Sequence, residues 1–103
     1  MGAQTFINEK KASSPRQAFE ELVEQAIYDY GHDAYNGTIS TCGLGRERRP
    51  LDIKPNFCKE NINVAYKYIQ DHDYGKKWVA DYIDLGKTED GEHYYMFYGW
   101  ASC

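Results

Sequence analysis

One segment of this sequence, residues 14–31, restricts the possible folds more than any other. Ser14 is a good helix N-cap, Pro15 suits the first helical position, and Gln17 stands where a capping side chain is favoured. Apolar residues then recur along one stripe: Ala18, Phe19, Leu22, Val23, Ala26, Ile27 and Tyr30. Gly31 follows as a left-handed C-terminal cap. The segment therefore predicts an amphipathic helix from about Pro15 to Tyr30 that packs against one face of a core.

The rest of the chain alternates strands with one further helix. Residues 3–9 and 38–42 predict two strands, and residues 43–59 predict a long loop. Apolar residues at helical spacing from Ile62 to Ile69 predict a second helix. Residues 78–85 and 94–100 predict an antiparallel hairpin. A chain of 103 residues has room for one core, so we expect a single two-layer α+β domain with the order β-α-β-loop-α-β-β.

The last predicted strand is aromatic on both faces. Tyr94, Tyr98 and Trp100 point to one side, and Tyr95 and Phe97 point to the other. If both helices cover the same face, the other aromatic face is free to contact a partner. Tyrosine and tryptophan are also favoured at recognition surfaces, so we predict Tyr94, Tyr98 and Trp100 as binding residues.

Charge is unevenly distributed along the chain. The net charge is −4, yet residues 43–60 carry five basic and three acidic side chains. Arg46, Arg48 and Arg49 in this island would suit a phosphate or an acidic partner, although an exposed charged loop explains them as well. The basic footprint is too weak for a typical nucleic-acid binder, so direct binding to DNA or RNA is disfavoured.

A polar cluster follows the first helix. His32, Tyr35 and Asn36 lie between that helix and the predicted second strand. A histidine beside phenols and an amide can donate and accept protons or bind a ligand. The same residues also make an ordinary helix end followed by an Asn-Gly turn. Both readings stay open, and no catalytic set accompanies the cluster.

Neither cofactor nor membrane signals stand out. Cys42, Cys58 and Cys103 are far apart in sequence, and no two potential zinc ligands have the usual close spacing. We therefore expect free thiols and no metal or other cofactor. No apolar run is long enough to span a bilayer, and the N-terminus lacks a signal peptide, so we expect a cytoplasmic protein.

Several short motifs resemble a group of small proteins encoded by phages and mobile elements. They are Met1-Gly2-Ala3, Tyr30-Gly31-His32, Tyr35-Asn36-Gly37-Thr38-Ile39, Leu85-Gly86-Lys87 and Tyr98-Gly99-Trp100-Ala101-Ser102. The resemblance covers both ends of the chain but not its middle. It implies an accessory protein that binds and disables a protein of the host, such as a CRISPR or restriction nuclease.

Two functional hypotheses follow. The first is a non-enzymatic binding protein that inhibits a host protein through the aromatic hairpin, the arginine-rich island and the turn at His32 and Tyr35. The second is a small protein that binds or hydrolyses a nucleotide-like molecule through His32, Tyr35 and Asn36. A flat, exposed aromatic face would favour the first hypothesis, and a deep cleft beside His32 would favour the second.

Overall fold

The computed structural model describes residues 3–30, 39 and 42–102. Within these residues the elements are β1 (Ala3–Ala12), α1 (Pro15–Tyr30), β2 (Gly43–Arg48), α2 (Lys59–Asp71), β3 (Val79–Lys87) and β4 (His93–Ser102). The α+β class and the predicted order of elements are confirmed. None of the helices in the described part of the chain is long and apolar enough to cross a membrane.

The four described strands form one mixed sheet in the order β1-β4-β3-β2. Strand β4 lies in the centre and pairs antiparallel with both β1 and β3, which confirms the predicted hairpin. Strand β2 pairs parallel with β3, because α2 carries the chain from one end of the sheet back to the other. The carboxyl ends of β2 and β3 therefore lie side by side.

The second strand lies later in the chain than the sequence predicts. It begins at Gly43, inside the predicted loop, and not at Thr38. The Cys42 amide donates to the Ile39 carbonyl at 3.0 Å, so the chain turns where we expected a strand. Thr38, Ser40 and Thr41 lie outside the described residues. The strand was predicted at residues 38–42 because that segment is rich in β-branched residues. Strand β2 forms instead where the chain pairs with β3.

The start of α1 follows the predicted capping. The Gln17 amide donates to the Ser14 hydroxyl at 3.1 Å, and the Ala18 amide donates to the Ser14 carbonyl at 3.1 Å. The helix packs on the sheet through buried Ala18 and Ala26 and partly buried Phe19 and Leu22. Its partners in the sheet include Phe6, Tyr95 and Phe97, which share one face.

Helix α2 packs on the opposite face. Its buried Ala65 and Ile69 contact Ile83, Met96 and Tyr98. Met96 and Tyr98 alternate along β4 with Tyr95 and Phe97, so the two clusters lie on the two sides of the sheet. We expected both helices on one face and an open aromatic face on the other. That expectation was wrong. Helix α1, which precedes β2, covers one face of the sheet, and helix α2, which follows β2, covers the other.

Candidate functional site

Two of the predicted aromatic binding residues are part of the fold. The Tyr98 side chain is 1% exposed, and burial raises its pKa well above the usual value for tyrosine. Tyr94 is half-buried and stacks on Phe57 with 4.7 Å between the ring centroids. Neither side chain presents a free aromatic face to a partner, because α2 and the chain leading into it cover this side of the hairpin.

Trp100 is also held by its own chain. Its indole Nε1 donates to the Asp73 carbonyl at 2.8 Å. Its backbone accepts from the Trp78 amide at 2.8 Å and donates to the Lys76 carbonyl at 3.1 Å. The prediction that Tyr94, Tyr98 and Trp100 form one exposed contact set was therefore wrong.

The three arginines lie at the end of β2 and just beyond it, not in a free loop. Arg48 contacts the Asp81 carboxylate through Nε at 3.2 Å and Nη2 at 3.1 Å. Asp81 is almost fully buried and also accepts the Arg46 amide at 2.9 Å. Arg48 therefore neutralises a buried carboxylate and is not available to clamp a phosphate. Arg49 is 86% exposed and contacts Glu47.

The cluster of His32, Tyr35 and Asn36 lies outside the described residues. Its predicted role in binding therefore stays a prediction. A cleft among the described residues lies elsewhere, at the carboxyl ends of β2 and β3.

This cleft has a volume of about 460 Å³. Its walls come from the end of β2, the following residues, the end of β3 and the start of β4. The lining residues are Glu47, Arg48, Arg49, Pro50, Ile53, Lys54, Pro55, Asp84, Gly86 and His93. Such a volume accommodates a small organic molecule or a large side chain of a partner.

A histidine and a carboxylate meet in the cleft wall. His93 Nδ1 lies 2.9 Å and 3.1 Å from the two carboxylate oxygens of Asp84. The Asp84 carboxylate also accepts the Gly86 amide at 2.9 Å, which fixes its position. The His93 ring stacks against Tyr95 with 6.2 Å between the centroids. This arrangement holds the imidazole in one orientation and leaves Nε2 as its functional atom.

Sequence reasoning missed this pair. Asp84 and His93 stand near the facing ends of the predicted hairpin strands, across the turn at residues 86–91. Aligning those strands would have placed the two residues near each other.

The outer wall of the cleft is the rim loop, residues 49–55. Asn61 of α2 is fully buried and holds this loop: its Oδ1 accepts the Lys54 amide at 2.9 Å. Its Nδ2 lies 3.0 Å from the Lys54 carbonyl and 2.7 Å from the Leu85 carbonyl. One amide side chain thus ties the rim loop to both α2 and β3.

A close backbone contact closes the inner end of the cleft. Gly86 has φ of +111°, and a Cβ at this position would stand 2.5 Å from the Phe57 nitrogen. Phe57 donates to the Lys87 carbonyl at 3.0 Å, and Lys87 donates to the Pro55 carbonyl at 3.0 Å. A glycine is required here because any larger residue would separate the rim loop from β3.

The tip of the rim loop carries an exposed apolar residue. Leu51 exposes 101% of its reference area, and the Ile53 amide donates to the Pro50 carbonyl at 3.4 Å to close the turn beneath it. Lys54 and Glu60 form an ion pair at 2.5 Å near its base. The loop therefore presents one leucine from a braced turn surrounded by charged side chains.

The chemistry available in the cleft is that of hydrogen bonding and proton transfer. Among residues 3–30, 39 and 42–102, no group of three His, Cys, Asp or Glu side chains is arranged to hold a metal ion. Cys58 has no disulfide partner in the described part of the chain. The His93 and Asp84 pair has no serine, threonine or cysteine among the lining residues that would serve as a nucleophile.

The sequence matches no family model, no curated protein and no solved structure.

Proposed function

We propose that this chain is a non-enzymatic binding protein that inhibits a protein of the host cell and contacts it through the rim loop. The observation that carries the proposal is the fully exposed Leu51 at the tip of that loop. A large aliphatic side chain in water contributes nothing to the core, whereas its burial in a partner is favourable by about 25 cal/mol per Å² of apolar surface.

The surroundings of Leu51 support a contact surface. Interfaces commonly place an apolar anchor at the centre and polar groups around it. Arg49, Asp52 and Lys54 provide such a polar margin, and all three are exposed. Asn61 holds the loop from behind, so little conformational freedom is lost when a partner binds.

The identity of the partner is the finer part of the proposal. The resemblance to small phage proteins favours a host protein, with a CRISPR or restriction nuclease as the first candidate.

The first test places a photo-crosslinking amino acid at position 51. The matched control places it at Tyr28, which is 87% exposed but lies on α1, outside the cleft lining. We expect one host protein to crosslink through position 51 and not through position 28, as identified by mass spectrometry. Equal labelling from both positions would count against a specific surface on the rim loop.

The second test uses the purified partner found in this way. Replacement of Leu51 by Ser should weaken its binding about thirtyfold or more, since anchor residues often contribute 2 kcal/mol or more. Tyr28→Ser should leave the affinity within twofold. Inhibition of the partner's activity should be lost in parallel with binding. A partner that binds Leu51→Ser as tightly as the wild type would overturn the proposal.

A further inference from the structure

We propose that the cleft beside His93 binds a small molecule that carries a phosphate or carboxylate group. This site shares Arg49 and Lys54 with the surface around Leu51, but it does not depend on the protein contact proposed there. The proposal rests on the balance between hydrogen-bond donors and acceptors in the lining.

The carboxylates of the lining are already engaged. Both oxygens of Asp84 accept hydrogen bonds, from His93 Nδ1 and from the Gly86 amide. Glu47 accepts from Arg49. The positive charge of Arg48 is balanced by buried Asp81, which its Nη2 contacts at 3.1 Å. The lining thus offers a ligand few unused acceptors.

The donors of the lining are only partly used. His93 Nε2 makes no hydrogen bond with the other described residues; it accepts a hydrogen bond while Nδ1 carries the only ring proton, and it donates only when the ring carries both protons. Arg49 contacts Glu47 through Nε, which leaves both of its Nη groups without an acceptor in the described part of the chain. Lys54 contacts Glu60 and retains further N–H groups. An excess of donors fits a ligand rich in acceptor oxygens.

The remaining wall is apolar. Pro50, Ile53 and Pro55 line the rim-loop side of the cleft. Ile53 is partly buried and packs against the core residues beneath α2. A volume of about 460 Å³ exceeds the space that a single inorganic anion needs. The preferred ligand therefore has an anionic group that reaches the unused N–H groups of Arg49 and Lys54, and a planar or apolar part against the prolines.

The site is held in place before a ligand arrives. Asp84 orients His93, Asn61 fixes the rim loop, and the contact at Gly86 sets the distance between that loop and β3. Rigid placement of donors lowers the entropy lost on binding.

The test follows the His93 ring by NMR in the full chain during titration with four probes. The probes are adenosine 5′-monophosphate, benzoate, inorganic phosphate and uncharged adenosine. We expect saturable shifts at His93 with adenosine 5′-monophosphate, with benzoate, or with both, at affinities at least fivefold above adenosine and inorganic phosphate. The relative response to the first two probes decides between a phosphate and a carboxylate ligand.

Two variants locate the site. His93→Gln should weaken binding of the better probe by about two- to tenfold, the usual effect of losing one hydrogen bond. The matched control is His72→Gln, because His72 lies outside this cleft and contacts only the Tyr68 carbonyl and ring in the described structure. Arg49→Gln should also weaken binding, and its exposure means that it leaves the fold unchanged.

The proposal fails if none of the four probes shifts the His93 ring saturably. It fails equally if adenosine binds as well as its monophosphate and benzoate does not bind, because the recognised group would then be uncharged. Equal loss of binding in His93→Gln and His72→Gln would place the ligand elsewhere. If His93→Gln does not fold, Arg49→Gln decides the outcome.

Discussion

The central strand β4 and the rim loop contrast in composition and in exposure. Strand β4 contains Tyr94, Tyr95, Phe97, Tyr98 and Trp100, residue types that are common at interfaces. Yet Tyr95, Phe97 and Tyr98 are buried by the chain's own helices. The rim loop is short and charged, with a single large aliphatic tip, and that tip is fully exposed.

The contrast teaches that aromatic composition does not by itself locate an interface in a small domain. A strand in the middle of a sheet has both faces available for packing, and here each face has its own helix. Tyrosine suits this position because its ring packs as a large apolar surface. The most exposed large apolar side chain of the described residues, Leu51, lies outside this strand, on the rim loop.

Tyr98→Ala gives the largest expected effect on this comparison. Removing a fully buried aromatic ring between β4 and α2 should lower the free energy of unfolding by about 3–5 kcal/mol. Leu51→Ala should change it by about 0.5 kcal/mol or less, as is usual for exposed positions. Urea unfolding of both variants, followed by circular dichroism, measures the two values. A loss below about 1 kcal/mol for Tyr98→Ala would mean that β4 is not core.

Asn61→Ala is expected to have the next largest effect. The substitution leaves the Lys54 amide and the Leu85 carbonyl without their partner, at a cost of about 1–3 kcal/mol for a buried group. It should also loosen the rim loop, so that amide hydrogen exchange at Lys54 and Ile53 becomes faster. Exchange in the centre of β4 should increase only as much as the global stability falls. Unchanged exchange at Lys54 would show that Asn61 does not hold the loop.

The sequence predicted those elements that local signals specify. Ser14, Pro15 and the apolar stripe located α1 because capping and amphipathicity act within a few residues. The hairpin was predicted for the same reason, since the turn at residues 86–91 stands between two strand-like runs. The predicted bounds of α1 agree with Pro15–Tyr30.

The remainder depends on contacts between distant residues. Strand β2 has the sequence GLGRER, which has low strand propensity, and it forms because β3 supplies its partner and buried Asp81 accepts from Arg46 and Arg48. The role of Asn61 depends on Leu85, 24 residues away. The face that each helix covers depends on the side of the sheet over which its connection passes, and no local sequence pattern specifies that side.

Leu22→Ala tests the helix that the sequence predicted best, with a smaller expected effect. Leu22 of α1 is only partly buried where it packs on the sheet. Ile69 of α2 is fully buried. We expect a loss of about 1–2 kcal/mol for Leu22→Ala and about 2–5 kcal/mol for Ile69→Ala. The same unfolding measurement compares them. Equal losses would mean that α1 is packed as tightly as α2.

The smallest expected effect concerns an exposed ion pair that contrasts with the buried pair of Arg48 and Asp81. Lys11 of β1 contacts Asp90 in the turn between β3 and β4 at 2.6 Å. The hydrogen bonds from Lys11 and Thr88 lower the pKa of Asp90 from 3.8 to about 2. A carboxyl whose pKa is lower in the folded state stabilises the fold above its unfolded pKa, and this contribution disappears as the pH falls through the folded value.

The variant Asp90→Asn lacks this titration. The difference in unfolding free energy between the wild type and Asp90→Asn should therefore be constant above about pH 5 and should shrink steadily as the pH falls to about 2. Added salt should reduce it at every pH, because both side chains are exposed. Asp52→Asn in the rim loop, an equally conservative change at an exposed carboxylate outside this ion pair, is the control for the general effect of losing one negative charge. A difference for Asp90→Asn that grows toward low pH would reverse the assigned sign, and would mean that the carboxylate is destabilised in the folded protein.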